Sequence, residues 1–394
     1  MKILRSLKCY LKMFCLCYKT LLSRYPPAKV TSMNVTRSPC RPTRKNCDGR
    51  DSGGKMNNSR TLQSWLQTGR IRMEGNISNW SQSQLTEARG GVDSGLVANA
   101  NISQRTNSQS PVPCTVFLLC TGNPGIVGFY RSFMQTLHSK FGYRHPVWAV
   151  SHAGHCVPPD SMDMVEDASF AAEGDVFGLN GQIEHKLAFL REHVPRETRL
   201  VLVGHSIGCY VILEMMKRDP DLKILKAVML FPTIERMAQT PQGKVMTPVL
   251  CHMRYVAYLP LFLLSLLPDT LKSSLVKLVF GGIHSLDLSV LRPTVGLLSG
   301  DCAANAMYMG AQEMKKVLER DNLTITNNLE KLIFYHGSMD HWCPVQYYHD
   351  IKRDFPRGDI RLCEKGFRHA FVLDAGREVG RMVAEWIRGD LTNL

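Results

Sequence analysis

The stretch Leu200-Val201-Leu202-Val203-Gly204-His205-Ser206-Ile207-Gly208 joins an apolar run to a serine that stands between two glycines. The four apolar residues at its start predict a short, buried β-strand. The residues that follow, Cys209–Met216, are apolar and compatible with a helix, which two basic residues and Pro220 would end. The sequence therefore predicts a strand, a sharp turn at Ser206 and a helix.

The Gly-x-Ser-x-Gly pattern has a chemical interpretation in this context. Where a strand turns sharply into a helix, a serine at the turn is lifted into a strained and exposed position, and the flanking glycines leave room for the turn. We therefore predict that Ser206 is a nucleophile. The alternative is an ordinary turn without chemistry, because a chance match in a chain of this length has a probability on the order of 0.1.

A nucleophilic serine needs a histidine base and an acid that orients the histidine. In folds with this turn the chain order is serine, acid and histidine, each after a strand. Asp340 follows the apolar run Leu332–His336, and His369 is the only histidine after the last apolar run, Ile360–Cys363. We predict Asp340 as the acid and His369 as the base, with Glu235 as the alternative acid.

The oxyanion that forms during attack needs two backbone N–H donors. One is predicted to be Ile207, the residue after the serine. The other should come from the loop Cys120-Thr121-Gly122-Asn123-Pro124-Gly125, in which Pro124 has no N–H. Asn123 is therefore the predicted second donor, and its side-chain amide could contribute as well. The loop lacks the spacing of nucleotide-binding glycine motifs, and the sequence predicts neither a cofactor nor a metal ion.

The chain from residue 111 to 394 alternates short apolar runs with segments of helical periodicity. This alternation predicts an α/β fold with a mainly parallel sheet covered by helices on both faces, and the serine turn makes it an α/β-hydrolase fold. Residues 235–325 have no clear strand pattern, and we predict a helical insertion there, a lid above the sheet. The predicted strands are Val116–Cys120, Val147–Val150, Leu200–Val203, Ala227–Phe231, Leu332–His336 and Ile360–Cys363.

Within the insertion, residues 249–282 are unusually apolar, and the 14 residues Tyr255–Pro268 contain no charged side chain. A spanning helix needs about 20 residues, so this run is short, and Pro260 interrupts it. Three interpretations are open: a buried lid helix, a re-entrant hairpin in one membrane leaflet, and a core helix. We favour contact of residues 249–282 with a lipid monolayer or membrane, since a segment above the serine would admit an apolar substrate.

The charge of the chain is unevenly distributed. Residues 1–110 contain 18 Lys and Arg against 5 Asp and Glu, whereas residues 111–394 contain 30 against 29. The first segment is rich in Ser, Asn, Gln and Gly without periodicity, which predicts a basic, mostly disordered N-terminal extension. No nucleic-acid motif accompanies the charge, so no nucleic-acid partner is predicted. The 13 cysteines, scattered without metal-type pairs, favour a reducing, cytosol-facing location.

From about residue 112 to 394 the chain resembles the lipid droplet-associated hydrolases, a family of the α/β-hydrolase superfamily. The similarity depends on the blocks Gly122–Gly125, Ser151–His155, Leu179–Lys186, Gly204–Gly208, Phe231–Met237 and Gly366–Phe371. Two features depart from the family pattern. Thr121 stands where the family loop usually begins with proline, and the basic N-terminal segment is longer than the family requires.

The resemblance implies a location and a chemistry. It implies residence on lipid droplets and the endoplasmic reticulum, and esterase action on stored lipid esters, with sterol esters as the suggested substrate. The family's triad falls on Ser206, Asp340 and His369. The implied partners are a lipid ester and the droplet monolayer or endoplasmic reticulum membrane. The alternative is a droplet- or reticulum-associated protein with little turnover that acts in droplet association or organisation.

Overall fold

The computed structural model describes residues 115–155, 175–280 and 287–392, which form a six-stranded sheet with helices on both faces. All strands pair in parallel, in the order β2-β1-β3-β4-β5-β6. The predicted extension, residues 1–110, lies outside the described residues, as do residues 281–282 of the apolar segment. The strands are β1 (Thr115–Cys120), β2 (Val147–Val150), β3 (Arg199–His205), β4 (Ile224–Leu230), β5 (Leu332–Gly337) and β6 (Asp359–Cys363).

The six strands predicted from the sequence are confirmed, with small differences at their ends. β3 continues to His205, so Ser206 follows the strand without an intervening loop. β4 begins at Ile224 and stops at Leu230, one residue before its predicted end. It stops there because Phe231 has a positive φ of 49°, which does not continue a strand.

Helices connect the strands and cover the sheet. They are α1 (Arg131–Lys140), α2 (Leu179–His193), α3 (Ile207–Arg218), α4 (Pro241–His252), α5 (Arg254–Ser265), α6 (Asp269–Phe280), α7 (Leu291–Leu297), α8 (Gly300–Lys316), α9 (Asn322–Asn327), α10 (Val345–Asp354) and α11 (Gly376–Thr392). Short 3-10 turns lie at Val127–Tyr130, Met237–Gln239, Leu288–Val290, Leu329–Lys331 and Phe371–Leu373. The segments of helical periodicity that alternate with the apolar runs fold as helices, α1, α2 and α11 among them.

The central strands are buried on both faces, which explains why the sequence shows continuous apolar runs instead of alternation. In β1, Phe117 and Leu119 belong to one apolar cluster, whereas Val116 and Leu118 belong to the other. α1 and α11 complete the first cluster, and α2, α3, α8 and α10 contribute to the second. Because burial of a large aliphatic side chain stabilises a fold by about 1.5–3 kcal/mol, the two clusters hold the sheet in place.

Between β4 and β5 the described residues form the helices α4–α9 and no strand. α4 and α5 meet at an angle of 85°. No helix within residues 115–155, 175–280 and 287–392 is by itself long and apolar enough to cross a membrane, although α4 and α5 pass the same test when counted together. Leu261 is the one buried residue of α5, so the core-helix interpretation of this segment is wrong.

Parallel strands bring their C-terminal ends to one edge of the sheet, where open α/β sheets bind their ligands. The loop of residues 121–125 follows β1, and Ser206 follows β3. Asp340 and His369 follow β5 and β6. The fold therefore brings every predicted site residue to the same edge.

Candidate active site

Ser206 occupies a strained turn between β3 and α3. Its φ of 55° and ψ of −124° lie outside the regions that residues with a side chain ordinarily adopt. The Ser206 N–H donates to the Leu230 carbonyl oxygen at 3.0 Å, and the Cys209 N–H donates to the Ser206 carbonyl oxygen at 3.0 Å. A Cβ atom at Gly208 would lie 2.0 Å from the Cys120 carbonyl oxygen, so only glycine lets α3 approach β1 this closely.

The residues predicted as nucleophile, base and acid form one hydrogen-bonded chain. Nε2 of His369 lies 2.9 Å from the Ser206 hydroxyl oxygen, and Nδ1 lies 2.6 Å from the Asp340 carboxylate. Because an ionised carboxylate only accepts hydrogen bonds, Nδ1 carries the proton and Nε2 presents its lone pair to the serine hydroxyl. The geometry matches that in which a histidine serves as general base for a serine.

The Asp340 side chain is completely buried. Burial opposes its ionisation, but the charge of His369 and three hydrogen bonds outweigh it and hold the pKa of Asp340 below its ordinary value. Oδ2 accepts from His369, and Oδ1 accepts from the N–H groups of Trp342 at 2.8 Å and Cys343 at 3.2 Å. The carboxylate therefore stays ionised and can stabilise an imidazolium beside it.

Glu235, the alternative acid, is engaged in a different set of contacts. Its carboxylate oxygens accept from the guanidinium groups of Arg320 at 3.1 Å and Arg236 at 2.5 Å. Arg236 also binds Asp350 of α10 at 2.9 Å. Both oxygens of Glu235 are thus directed at arginines, whereas Nδ1–H of His369 is donated to Asp340.

The loop after β1 packs directly on the serine turn. A Cβ atom placed on Gly122 would lie 3.1 Å from Cβ of Ser206. Asn123 follows in this loop, and Ile207 is the first residue of α3, where a backbone N–H has no partner within the helix. The Asn123 side-chain amide is used elsewhere, because Nδ2 donates at 2.9 Å to a backbone carbonyl of α8 and at 2.9 Å to the Glu313 carboxylate. The backbone N–H of Asn123 stays the predicted second donor to the oxyanion.

Sequence reasoning missed three polar side chains at this edge. The Thr233 hydroxyl oxygen lies 3.4 Å from that of Ser206. The Tyr130 hydroxyl oxygen lies 2.6 Å from Nδ1 of His205, and both residues are buried. His205 stands inside the serine motif, where its position next to the nucleophile could have drawn attention. Tyr130 carries no sequence signal, because the contact joins residues 75 positions apart.

The residues after β2 are hydrogen-bonded to the loop after β1. The Gly125 N–H donates to Nδ1 of His155 at 3.1 Å, and the His152 N–H donates to the Gly125 carbonyl oxygen at 2.8 Å. Burial lowers the pKa of His155 to about 3 and lowers that of His152 well below its ordinary value. Within the described part of the chain, no group of three or more His, Cys, Asp or Glu side chains is arranged to hold a metal ion.

This combination of fold and site defines a class of protein. The sheet is parallel, the serine stands at a sharp turn after β3, and an acid and a histidine follow β5 and β6. These are the features of the α/β-hydrolase fold. The chain has that fold, as the sequence predicts.

Comparison with known proteins gives the family. The family described as "Lipid-droplet associated hydrolase" matches residues 113–372. The lipid droplet-associated hydrolase of Gallus gallus is 56% identical over 72% of this chain and 87% of that protein. The Homo sapiens protein of that name is 46% identical, with the same coverage of 72% and 87%. The chain belongs to the lipid-droplet associated hydrolase family.

Among solved structures, a carboxylesterase structure from Nitrososphaera gargenis has a TM-score of 0.48 and 12% identity, over 71% of this chain and 92% of that one. An esterase from the thermophile Thermogutta terrifontis has a TM-score of 0.45 and 12% identity, over 70% and 90%. Agreement at this level carries no argument about activity.

Proposed function

We propose that this protein is a serine ester hydrolase in which Ser206 attacks the substrate, His369 is the general base and Asp340 orients the base. The observation that carries the proposal is the chain of hydrogen bonds at 2.6 and 2.9 Å through His369. Membership of a hydrolase family supports hydrolysis in general. The serine mechanism is inferred from the geometry of these side chains.

The first half-reaction forms an acyl-enzyme. The Ser206 hydroxyl gives its proton to Nε2 of His369 while its oxygen attacks the ester carbonyl carbon. The negative charge moves to the carbonyl oxygen, which accepts hydrogen bonds from the backbone N–H groups of Ile207 and Asn123. The carbonyl then re-forms, the alcohol oxygen leaves, and Nε2–H of His369 protonates it. The carboxylate of Asp340 stabilises the imidazolium between these two proton transfers.

The second half-reaction returns the enzyme to its starting state. Nε2 of His369 takes a proton from water, and the resulting hydroxide attacks the acyl carbonyl carbon. The same two N–H groups stabilise the second oxyanion. The bond to the serine oxygen breaks, and His369 returns the proton to Ser206 as the carboxylic acid leaves.

The proposed substrates are lipid esters, sterol esters among them, met at the surface of lipid droplets. The relatives in chicken and human are named for lipid droplets, which supports this location for the present chain. We also propose the endoplasmic reticulum as a second location, with the enzyme facing the cytosol. The buried thiols of Cys120, Cys209, Cys343 and Cys363 suit a reducing compartment.

An exposed apolar face on α5 supports contact with a lipid surface. The face consists of Val256, Leu259 and Leu263 of α5 and of Leu266, the residue that caps the C-terminal end of the helix. These residues recur at intervals of three and four and are between 56% and 68% exposed. A contiguous exposed apolar patch is uncommon on a protein surrounded only by water. The other large exposed apolar side chains between residues 241 and 280 are Val245, Met253, Tyr255, Phe262, Leu271 and Leu278.

The insertion of residues 235–325 is proposed to act as a lid. α8 packs against α5 and reaches the loop after β1 through the contacts of Asn123 with Glu313 and a backbone carbonyl. A second contact joins Nδ2 of Asn305 to the Gly154 carbonyl oxygen at 2.9 Å. The loop after β1, residues 121–125, is called the oxyanion loop below. Helices that contact this loop on one side and are exposed on the other suit a cover between the site and a lipid phase.

The proposal is tested by the variant Ser206→Ala, with the exposed Ser274→Ala as the matched control. A fluorophosphonate probe should label the wild type and the control but not Ser206→Ala. Hydrolysis of a soluble ester by Ser206→Ala should fall on the order of 10⁴-fold or more. Undiminished labelling of that variant would assign the nucleophile to another residue.

The same experiment separates hydrolysis from the alternative function. A panel of acyl and sterol esters, presented in droplets and in solution, measures turnover by the wild type. A wild type that binds droplets, takes no label and turns over no ester of the panel would favour a role in droplet association or organisation.

A further inference from the structure

Tyr130 and His205 connect three loops of the site through one chain of hydrogen bonds. The Gly122 N–H donates to the Tyr130 hydroxyl oxygen at 2.8 Å, and that oxygen lies 2.6 Å from Nδ1 of His205. Nε2 of His205 lies 2.8 Å from the backbone carbonyl oxygen of His369. Gly122 and His205 each directly precede a residue of the proposed machinery. These hydrogen bonds therefore join the oxyanion loop, the serine turn and the loop that carries His369.

In each of these hydrogen bonds, the donor and the acceptor can be assigned in only one way. The His369 carbonyl oxygen only accepts, so Nε2 of His205 carries the proton and donates it. Nδ1 of His205 is then unprotonated and accepts from the Tyr130 hydroxyl. The tyrosine oxygen in turn accepts from the Gly122 N–H. All the hydrogen-bonding groups of the chain are thereby used in a single arrangement.

We propose that Tyr130 and His205 are positioning residues, which hold the oxyanion loop and the backbone of the base at fixed distances from the serine turn. This inference rests on the proposed function above. Neither residue touches the substrate, and both act through groups that do. Displacing a catalytic group by about 1 Å can cost on the order of 10²-fold in rate, so a link between three loops has a direct effect on turnover.

The surroundings of the two side chains keep the arrangement in place. Tyr130 is 2% exposed and His205 5% exposed, and both rings contact Phe371 edge-on, at centroid distances of 6.5 and 4.9 Å. Burial, reinforced by the nearby His369, lowers the pKa of His205 to about 3. The ring therefore stays neutral at ordinary pH and keeps the lone pair on Nδ1 that the tyrosine hydroxyl needs.

The variant Tyr130→Phe tests the link with the least change in shape. It keeps the ring and removes both the donor to His205 and the acceptor of the Gly122 N–H. We expect kcat on a soluble ester to fall by about 10- to 100-fold while KM stays within about threefold. The rate of labelling by a fluorophosphonate should fall by a similar factor, because that reaction needs the same attack geometry.

Tyr335→Phe is the matched control, since it removes another buried tyrosine hydroxyl. Tyr335 lies on β5, is 3% exposed and packs against Trp386 of α11, outside the hydrogen bonds of Tyr130. Loss of a buried hydroxyl should lower the melting temperature in both variants. Only Tyr130→Phe should lower kcat. Equal kcat values for the two variants, with equal losses of melting temperature, would reduce Tyr130 to a packing role and overturn the proposal.

His205 supplies a second pair of variants. His205→Gln places an amide N–H at the distance of Nε2, whereas His205→Leu offers no donor to the His369 carbonyl. We expect His205→Gln to retain at least about tenfold more kcat than His205→Leu, with full probe labelling at long times in both. Equal rates in the two folded variants would contradict the role of the donor.

The direction of the chain has its own spectroscopic signature. In protein labelled with ¹⁵N histidine, His205 should show a protonated Nε2 and an unprotonated Nδ1 throughout pH 5–9. A protonated Nδ1 would reverse the assignment and overturn the inference. Failure of the proposed function is recognised separately: there, Ser206→Ala would keep its hydrolytic activity, whatever Tyr130→Phe does.

Discussion

Two regions of the molecule contradict the usual distribution of side chains in opposite ways. At the C-terminal edge of the sheet, Asp340, His205 and Ser206 are polar residues that are buried and hydrogen-bonded. On α5, Val256 and Leu263 are apolar residues that are exposed over 68% and 56% of their surface. The first region obtains its partners from the chain itself. The second has apolar surface that no described part of the chain covers.

This difference suggests that chemistry and location reside in separate parts of the protein. A buried polar group is costly unless it is paired, so the sheet edge must be built completely before it can act. An exposed apolar face is instead completed by an apolar environment outside the chain. Changes at the sheet edge should therefore alter turnover without moving the protein, and changes on α5 should move the protein without altering turnover.

The largest effect is expected from Asp340→Asn. The amide can present N–H to Nδ1 of His369, which favours the tautomer that places a proton on Nε2 and blocks proton transfer from Ser206. We expect kcat on a soluble ester to fall on the order of 10⁴-fold, while flotation with artificial droplets is unchanged. Glu235→Gln is the comparison, since Glu235 is paired with two arginines.

Steady-state kinetics of the folded variants decides between the two carboxylates. Glu235→Gln should lower thermal stability, because it weakens two ion pairs, but should change kcat little. If Glu235→Gln lowered kcat more than Asp340→Asn, the acid of the site would be Glu235 and the role proposed for Asp340 would be wrong.

The next largest effect is expected when Val256, Leu259, Leu263 and Leu266 are replaced together by serine. Each buried apolar side chain contributes about 1.5–3 kcal/mol when transferred completely, so partial insertion of four of them should change droplet partitioning by at least about 10²-fold. Hydrolysis of a soluble ester should be unchanged. Flotation on artificial droplets and a soluble-ester assay measure the two properties on the same sample.

A matched control replaces exposed apolar residues elsewhere. Leu318 and Leu323 are 56% and 72% exposed and lie outside α4–α6, so Leu318→Ser with Leu323→Ser should leave flotation unaffected. If the variant with all four serine substitutions still floated, the lipid contact would lie elsewhere in the chain. If it unfolded, the face would pack against protein, and the contrast between the two regions would fail.

Much of this contrast can be predicted from the sequence, for physical reasons that differ between its parts. The central strands can be predicted because each is apolar on both faces, and Ser206, Asp340 and His369 can be predicted because each follows a strand. The exposed face of α5 cannot be predicted in this way, because the whole helix is apolar. Its packing against α8 decides that Leu261 is the residue that is buried.

Contacts between distant parts of the chain were also beyond the reach of the sequence. Tyr130 meets His205 across 75 positions, and the Asn123 amide meets Glu313 across 190. Neither pair has a local pattern. From the sequence, the amide of Asn123 could contribute to binding the oxyanion, but in the structure its Nδ2 donates to two groups of α8.

A smaller effect concerns acid stability. His155, His205 and His336 are buried, and burial lowers the pKa of each to about 3. Their pKa in the unfolded chain is about 6.5, so between about pH 6.5 and 3 the unfolded state binds protons that the folded state does not. The free energy of unfolding should therefore be largest above pH 6.5 and fall as the pH is lowered, by up to about 1.4 kcal/mol per pH unit for each histidine.

Urea unfolding at pH 7, 6 and 5 measures this slope. His336→Gln should reduce it by removing one titrating group, and His252→Gln, at an exposed position of α4, should leave it unchanged. Droplet flotation through the apolar face of α5 should not follow the same pH dependence while the protein is folded. A free energy of unfolding that is constant from pH 7 to 5 would show that these histidines are not buried in neutral form.

The smallest effect is expected from removal of residues 1–110, which we propose to be a basic extension separate from the hydrolase domain. Every residue of the proposed machinery lies after β1 begins at Thr115, and the apolar face of α5 also belongs to the retained part. Activity on a soluble ester and flotation on neutral droplets should both equal those of the full chain. The 18 basic residues of the extension can still attract anionic lipid, so binding to vesicles rich in anionic lipid should weaken on truncation, at low salt more than at high salt. An inactive or insoluble truncated protein would show that the extension packs against the domain. Loss of flotation on neutral droplets would show that the lipid contact lies in the extension and not on α5.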